Sequence, residues 1–272
     1  LFCCSVSAAA DNAQSSHYLL KPTGAYAVGY QDIFLINTDV CPDAFYKKGI
    51  NESDFSPTNK QHCHEIALRI YYPTKDNTGL GAKYYEPYIN DTNKWLANTY
   101  NLDQKHIDVL QSATQINTYT HPNAKPVNNK KFPIIIFMPG SGTPVQAYTN
   151  IISNLVSNGY IVIGVNSLFI NGAVELADDH VVLPPDAYSD TDGRRENISD
   201  LKFVLDHLDV INFKYDLDKN IEFNKIGLLG HSRGAMSIVN FLKNSKNNSS
   251  INALIFMDPA DKLGPANYPL PD

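Results

Sequence analysis

The chain has 272 residues, 43% of them hydrophobic, with 22 Lys and Arg against 28 Asp and Glu for a net charge of −6. Such a chain can bury one large core, and its acidic balance argues against nucleic acid as a partner. No run of about 18 apolar residues offers a membrane-spanning helix.

Residues 1–10 read as the remnant of a signal peptide, because an apolar start runs into Ala8-Ala9-Ala10 ahead of Asp11. A secreted or periplasmic location follows as an expectation. Cys3 and Cys4 leave with that segment, so Cys41 and Cys63 remain as a pair in an oxidising compartment. A disulfide between them is expected to staple the irregular loop that separates two strands. Residues 11–272 then read as one domain.

From Gly24 to Ile36, Tyr26, Val28, Ile33, Phe34 and Leu35 predict a first strand or hairpin. Ile66, Leu68, Ile70 and Tyr72 alternate with Ala67, Arg69 and Tyr71, which predicts a half-buried strand stopped by Pro73. The cluster His62, Cys63, His64 and Glu65 invites a zinc reading, but a second ligand group is not evident. Neither metal nor cofactor is therefore expected. Residues 75–130 are rich in Asn and Tyr, with a helix expected around Trp95 to Ser112. That segment reads either as a cap over the active site or as a surface insertion.

Phe132 to Phe137 is wholly apolar, as in a parallel strand buried on both faces. It enters the Gly-rich turn Met138-Pro139-Gly140-Ser141-Gly142 before a helix from about Val145 to Ser157. Tyr160 to Val165 is the next buried strand, and residues 166–195 read as an acidic, Pro-containing loop with His180 in its middle. Leu201, Val204, Leu205 and Leu208 give a helix, Asn224 to Leu229 a strand, and Ile251 to Met257 a further buried strand closed by Asp258-Pro259. Such alternation predicts an α/β fold: a mainly parallel sheet with helices on both faces.

The chemistry is concentrated in Gly230-His231-Ser232-Arg233-Gly234. Ile226, Leu228 and Leu229 precede it as a short buried run, while Ala235, Ile238, Val239 and Leu242 recur at helical spacing after it. Gly-X-Ser-X-Gly between strand and helix is a nucleophile elbow, in which a tight turn lifts the serine clear of the backbone. A serine hydroxyl is a weak nucleophile and needs that access, together with a base to take its proton. Ser232 is thus the candidate nucleophile of a serine esterase. The backbone N–H groups of Arg233 and Ser141 are the candidate oxyanion donors. Asp258, at the end of a strand, is the candidate triad acid, with Asp261 as its near rival.

In this architecture the triad runs serine, acid, histidine in chain order. All eight histidines, at 17, 62, 64, 106, 121, 180, 207 and 231, precede Asp258. The side chain of His231 is expected to point away from the pocket, and His207 sits in a helical pattern. His180 is the best internal candidate for the base. A chain that starts at Leu1 and stops at Asp272 is expected to be a fragment, with the last strands and the catalytic histidine beyond it.

Four blocks resemble the platelet-activating factor acetylhydrolase family of the plasma and intracellular type II kind, within the α/β-hydrolases. They are Gly24-Ala25-Tyr26-Ala27-Val28-Gly29-Tyr30-Gln31-Asp32, Leu68-Arg69-Ile70-Tyr71-Tyr72-Pro73, Phe137-Met138-Pro139-Gly140-Ser141-Gly142 and Gly230-His231-Ser232-Arg233-Gly234. Together they span roughly residues 22–262. The resemblance implies Ser232 as nucleophile, Asp258 as acid, Ser141 with Arg233 as oxyanion donors, and a short-chain ester or oxidised phospholipid as substrate. Pro139 and Arg233 stand where the family has a histidine and an aromatic residue. An enzyme of this kind would meet a small-molecule or lipid ester, with peripheral contact to a lipid surface. The competing readings are a cutinase-like or polyester-hydrolase-like esterase, and a non-catalytic member of the fold that binds a lipid or a partner.

Overall fold

The computed structural model describes residues 18–41, 63–76, 81–84, 97, 101–112, 115–176, 180–183, 190–211, 213–244 and 250–259. Unbroken apolar runs become the central strands. Phe132–Met138 (β4) places Ile134, Ile136 and Met138 on one face of a sheet and Ile135 and Phe137 on the other, and both faces are covered. Ile161–Ser167 (β5) is buried along its whole length. The remaining strands are β1 (Ala27–Asn37), β2 (His64–Thr74), β3 (Thr120–Pro122), β6 (Val174–Glu175), β7 (Val181–Val182), β8 (Ile221–His231) and β9 (Ile251–Met257). The helices are α1 (Gln104–Ser112), α2 (Thr149–Ser157), α3 (Asp190–Asp206) and α4 (Arg233–Asn244).

Seven strands form one sheet in the order β3-β1-β2-β5-β4-β8-β9, and β6 with β7 makes a separate hairpin. β5, β4, β8 and β9 run parallel, whereas β2 is antiparallel to both of its neighbours. The chain leaves β4 toward β5 on one side and returns to β8 on the other. Open α/β sheets place their ligand crevice at such a switch, outside the carboxyl ends of the strands. Leu201 and Val204 of α3, with Ile238, Phe241 and Leu242 of α4, cover one face. Val145, with Ile152 and Val156 of α2, covers the other. The mainly parallel sheet with helices on both faces is therefore present.

Several local expectations are corrected. β2 is buried at every position rather than half-buried, and it continues through Pro73 to Thr74. Arg69 is tolerated there because its guanidinium grips Asp32 of β1 with two hydrogen bonds, of 2.7 and 2.8 Å, and lies over the Tyr30 ring. Pro73 lies past the last β5 partner of β2, Tyr71 opposite Val162, so its missing N–H breaks no bond to that strand. Of the helix expected around Trp95 to Ser112, Ala97 is helical and Gln104–Ser112 forms α1, where the Asp103 carboxylate accepts the His106 N–H at 3.0 Å as an N-cap; Trp95 lies outside the described residues. The presumed loop 166–195 contains the β6–β7 hairpin and the start of α3. The first turns of α3 are polar in sequence and carry no apolar period to betray them.

β9 was expected to be buried and is instead an edge: among the described residues it pairs with β8 alone, and Asn252, Ala253 and Ile255 are exposed. Of residues 75–130, the described part adds β3 to the outer edge of β1, at the start of that strand and away from the carboxyl ends of the parallel strands. Cys41 and Cys63 form the expected disulfide, which closes the connection between β1 and β2.

Candidate active site

Ser232 stands alone between β8 and α4 with φ at 49°, the left-handed region that an L-residue enters only under constraint. Close packing supplies that constraint. A Cβ on Gly234 would come within 2.1 Å of the Met138 carbonyl oxygen, and one on Gly230 within 2.6 Å of Ala235 Cα. Strand and helix thus touch backbone to backbone, and the turn between them has to be sharp. The Ser232 N–H donates to the Met257 carbonyl at 2.9 Å, and its own carbonyl accepts the Met236 N–H at 3.2 Å to open α4. Both backbone groups are thereby fixed, and the residue is only half-buried.

The β4 turn faces the same end of the sheet. Gly142 has φ at 69°, and its N–H donates to the Ile170 carbonyl at 2.7 Å. Asn171 donates through Nδ2 to the Gly140 carbonyl at 2.9 Å and accepts the Ser167 N–H at 2.7 Å. The Tyr148 hydroxyl accepts the Gly140 N–H at 3.1 Å and is bonded to His231 Nδ1 at 2.7 Å. Burial pushes the Tyr148 phenol above its ordinary pKa, against the lowering effect of the Gly140 N–H, so the hydroxyl stays protonated at neutral pH. Ser141 lies exposed between these anchored residues.

Asp258 follows β9 directly. Met257 is opposite His231 in the ladder, so Asp258 and Ser232 are the first residues beyond neighbouring parallel strands. Asp258 also has positive φ, at 40°, and is exposed. Asp261 lies outside the described residues.

Most of the described histidines are held elsewhere. His64 is buried against Asp200 at 2.6 Å, His106 is bonded to Asp103, His207 Nδ1 is bonded to the Phe203 carbonyl, and His231 is engaged by Tyr148. His121 lies on β3, opposite Gly29. His180 sits in the β6–β7 hairpin, whose Val174 and Val182 pack with Leu168 and Phe169 just beyond the carboxyl end of β5. His17 and His62 lie outside the described residues. The metal reading of His62, Cys63, His64 and Glu65 meets two obstacles: Cys63 is oxidised to Cys41, and His64 is bonded to Asp200. No group of three potential metal-binding side chains gathers among the described residues. Sequence reasoning missed Asn171 and Tyr148, which carry no motif of their own.

A serine at positive φ between a parallel strand and a helix, beside the switch point of such a sheet, defines the class as α/β-hydrolase. The family model for platelet-activating factor acetylhydrolase, isoform II, matches residues 12–167, and that for chlorophyllase matches residues 92–272. Each covers more than half of the chain, which belongs to these two families of α/β-hydrolase esterases. A comparison with curated proteins finds no match. Among solved structures, a ferulic acid esterase from Streptomyces cinnamoneus is similar at 18% identity and a TM-score of 0.60, over 85% of this chain and 60% of that one. The chain thus spans less than two thirds of that esterase's length. A hypothetical protein, PA2218 from Pseudomonas aeruginosa, is similar at 8% identity and a TM-score of 0.44, over 92% of this chain and 48% of that one.

Proposed function

We propose that the protein is a serine carboxylic-ester hydrolase that works through an acyl-enzyme. The observation that carries this reading is the strained Ser232, held by Met257 and Met236 at the carboxyl end of the parallel strands, with Asp258 one ladder step away. Ser232 Oγ attacks the ester carbonyl carbon as a histidine takes its proton. The N–H groups of Arg233 and Ser141 receive the charge that develops on the carbonyl oxygen. The same proton passes to the departing alkoxide as the C–O bond breaks. Water then repeats the sequence on the acyl-enzyme and releases the acid.

Asp258 orients the base and steadies its positive charge. Within the described residues His180 is the candidate for that base, since its hairpin packs at the carboxyl end of β5. His180→Ala decides the assignment: collapse of kcat gives it the role, and wild-type rates place the base on another histidine.

Family membership supports a short acyl ester, including the sn-2 ester of an oxidised phospholipid at a lipid surface, as the substrate class. Rates on short p-nitrophenyl esters, polyester films and dispersed phospholipids separate this from a cutinase-like activity. The Cys41–Cys63 disulfide supports a secreted or periplasmic site of action, with residues 1–10 as part of the export signal. A fluorophosphonate probe is expected to label the whole protein and to fail on Ser232→Ala. Absence of labelling would return the protein to the non-catalytic reading, and labelling that survives the substitution would remove Ser232 as the nucleophile.

A further inference from the structure

Two side chains outside the triad grip successive peptide units of the β4 turn. The carbonyl of Gly140 and the N–H of Ser141 belong to one planar trans peptide, so they point in opposite directions. Asn171 Nδ2 holds that carbonyl at 2.9 Å, and the Thr143 N–H adds a second, longer bond at 3.3 Å. Fixing the carbonyl fixes the Ser141 N–H on the opposite side. Asn171 is itself fully buried, with its Oδ1 anchored by the Ser167 N–H at the end of β5.

The preceding peptide is held through the Gly140 N–H, which donates to the Tyr148 hydroxyl. Tyr148 packs edge-on against Phe137, with ring centroids 4.7 Å apart, and its hydroxyl is bonded to His231, the residue before the nucleophile. One hydroxyl therefore ties the turn to the elbow. A Cβ at Gly140 would stand 2.8 Å from His231 Nδ1 and 3.3 Å from the Tyr148 oxygen, so glycine is the residue that leaves this link intact.

We propose, on the reading of Ser232 as nucleophile, that Asn171 and Tyr148 are positioning residues that aim the Ser141 N–H at the developing oxyanion. A donor aimed before the reaction lowers the barrier because nothing has to reorganise as charge forms. An unanchored peptide would spend part of its time turned away. Neither residue touches the reacting atoms in this scheme; each acts through the turn.

Asn171→Asp and Tyr148→Phe test this in the whole protein. The first keeps shape and the acceptor for Ser167 but replaces the donor facing the Gly140 carbonyl with an oxygen, which repels it. The second keeps the ring against Phe137 and removes only the hydroxyl. Each is expected to lower kcat by about tenfold to a hundredfold while KM changes little. Affinity for a trifluoromethyl ketone, which forms an oxyanion with the nucleophile, should fall by the same factor, and fluorophosphonate should still label Ser232 to completion. Thermal unfolding confirms the native fold, and Tyr148→Phe carries the test alone if Asn171→Asp does not fold. Wild-type kcat in the variants overturns the proposal. So does a rise in KM at constant kcat, or a fall in kcat with ketone affinity unchanged. Failure of the wild-type protein to label at Ser232 is a separate result; it removes the nucleophile reading and this proposal with it.

Discussion

A methyl group on Gly234 would have to share space with the Met138 carbonyl oxygen, 2.1 Å away, and neither backbone has room to retreat. Gly234→Ala is therefore expected to separate β4 from the elbow and to destabilise the protein by about 2 kcal/mol or more. Urea unfolding of the variant measures this, and a wild-type midpoint would contradict the close approach. The same constraint explains why the sharp turn at Ser232 was legible in the sequence. Gly230, Ser232 and Gly234 act within a single turn, so their roles are written in their spacing. Asn171 and Tyr148 were not legible, because each acts on a partner far along the chain. Asn171 reaches back 31 residues to Gly140, and Tyr148 reaches 83 residues forward to His231. No local pattern announces such a bond.

At the level of elements, α3 is pinned to the start of β2 by a fully buried pair, His64 Nε2 with Asp200 Oδ1 at 2.6 Å. Burial works against the imidazolium, but the charge and hydrogen bond of Asp200, with Glu196 and Glu65 nearby, outweigh it and raise the His64 pKa above its ordinary 6.5. A histidine with a raised folded pKa contributes stability in full below 6.5, and that contribution is lost as pH rises through the folded value. The wild-type melting temperature should thus fall with rising pH across that window. Asp200→Asn should flatten the slope, because burial without that carboxylate favours neutral His64, and at pH 6 should cost about 3 kcal/mol through loss of the buried charged pair. Melting curves from pH 5.5 to 9 check both, and equal slopes in the two proteins would refute the coupling. Element types were readable from apolar patterns, but burial was less so. β2 mixes Arg69 into its alternation, and cross-strand partners such as Asp32 and the Tyr30 ring make a covered position acceptable for it. β9 reads like β4, yet Ile255 is 48% exposed, because periodicity reports which residues are apolar and not how many neighbours a strand has.

For the whole molecule, the reversal of strand order at β4 follows from helical crossovers, and the alternation of elements made that much predictable. The antiparallel start did not follow from the pattern, since β1 and β2 are far apart in sequence rather than joined by a tight turn. The Cys41–Cys63 bond, 22 residues apart in sequence, limits the freedom of that connection in the unfolded chain. In the chain-entropy view, closing a loop of this size stabilises the folded state by about 3 kcal/mol. The paired strands carry Ile33 and Leu35 on β1 and Ile66 and Leu68 on β2 into the main core, so loosening their connection should lower the stability of the entire sheet. Reduced and oxidised protein, compared by urea unfolding, should differ by about that amount in a single cooperative transition. Alkylation supplies the control, because Cys41 and Cys63 should resist the reagent until a reductant is added. Two reactive thiols at these positions in unreduced, exported protein would refute the bond and remove the structural support for an oxidising compartment.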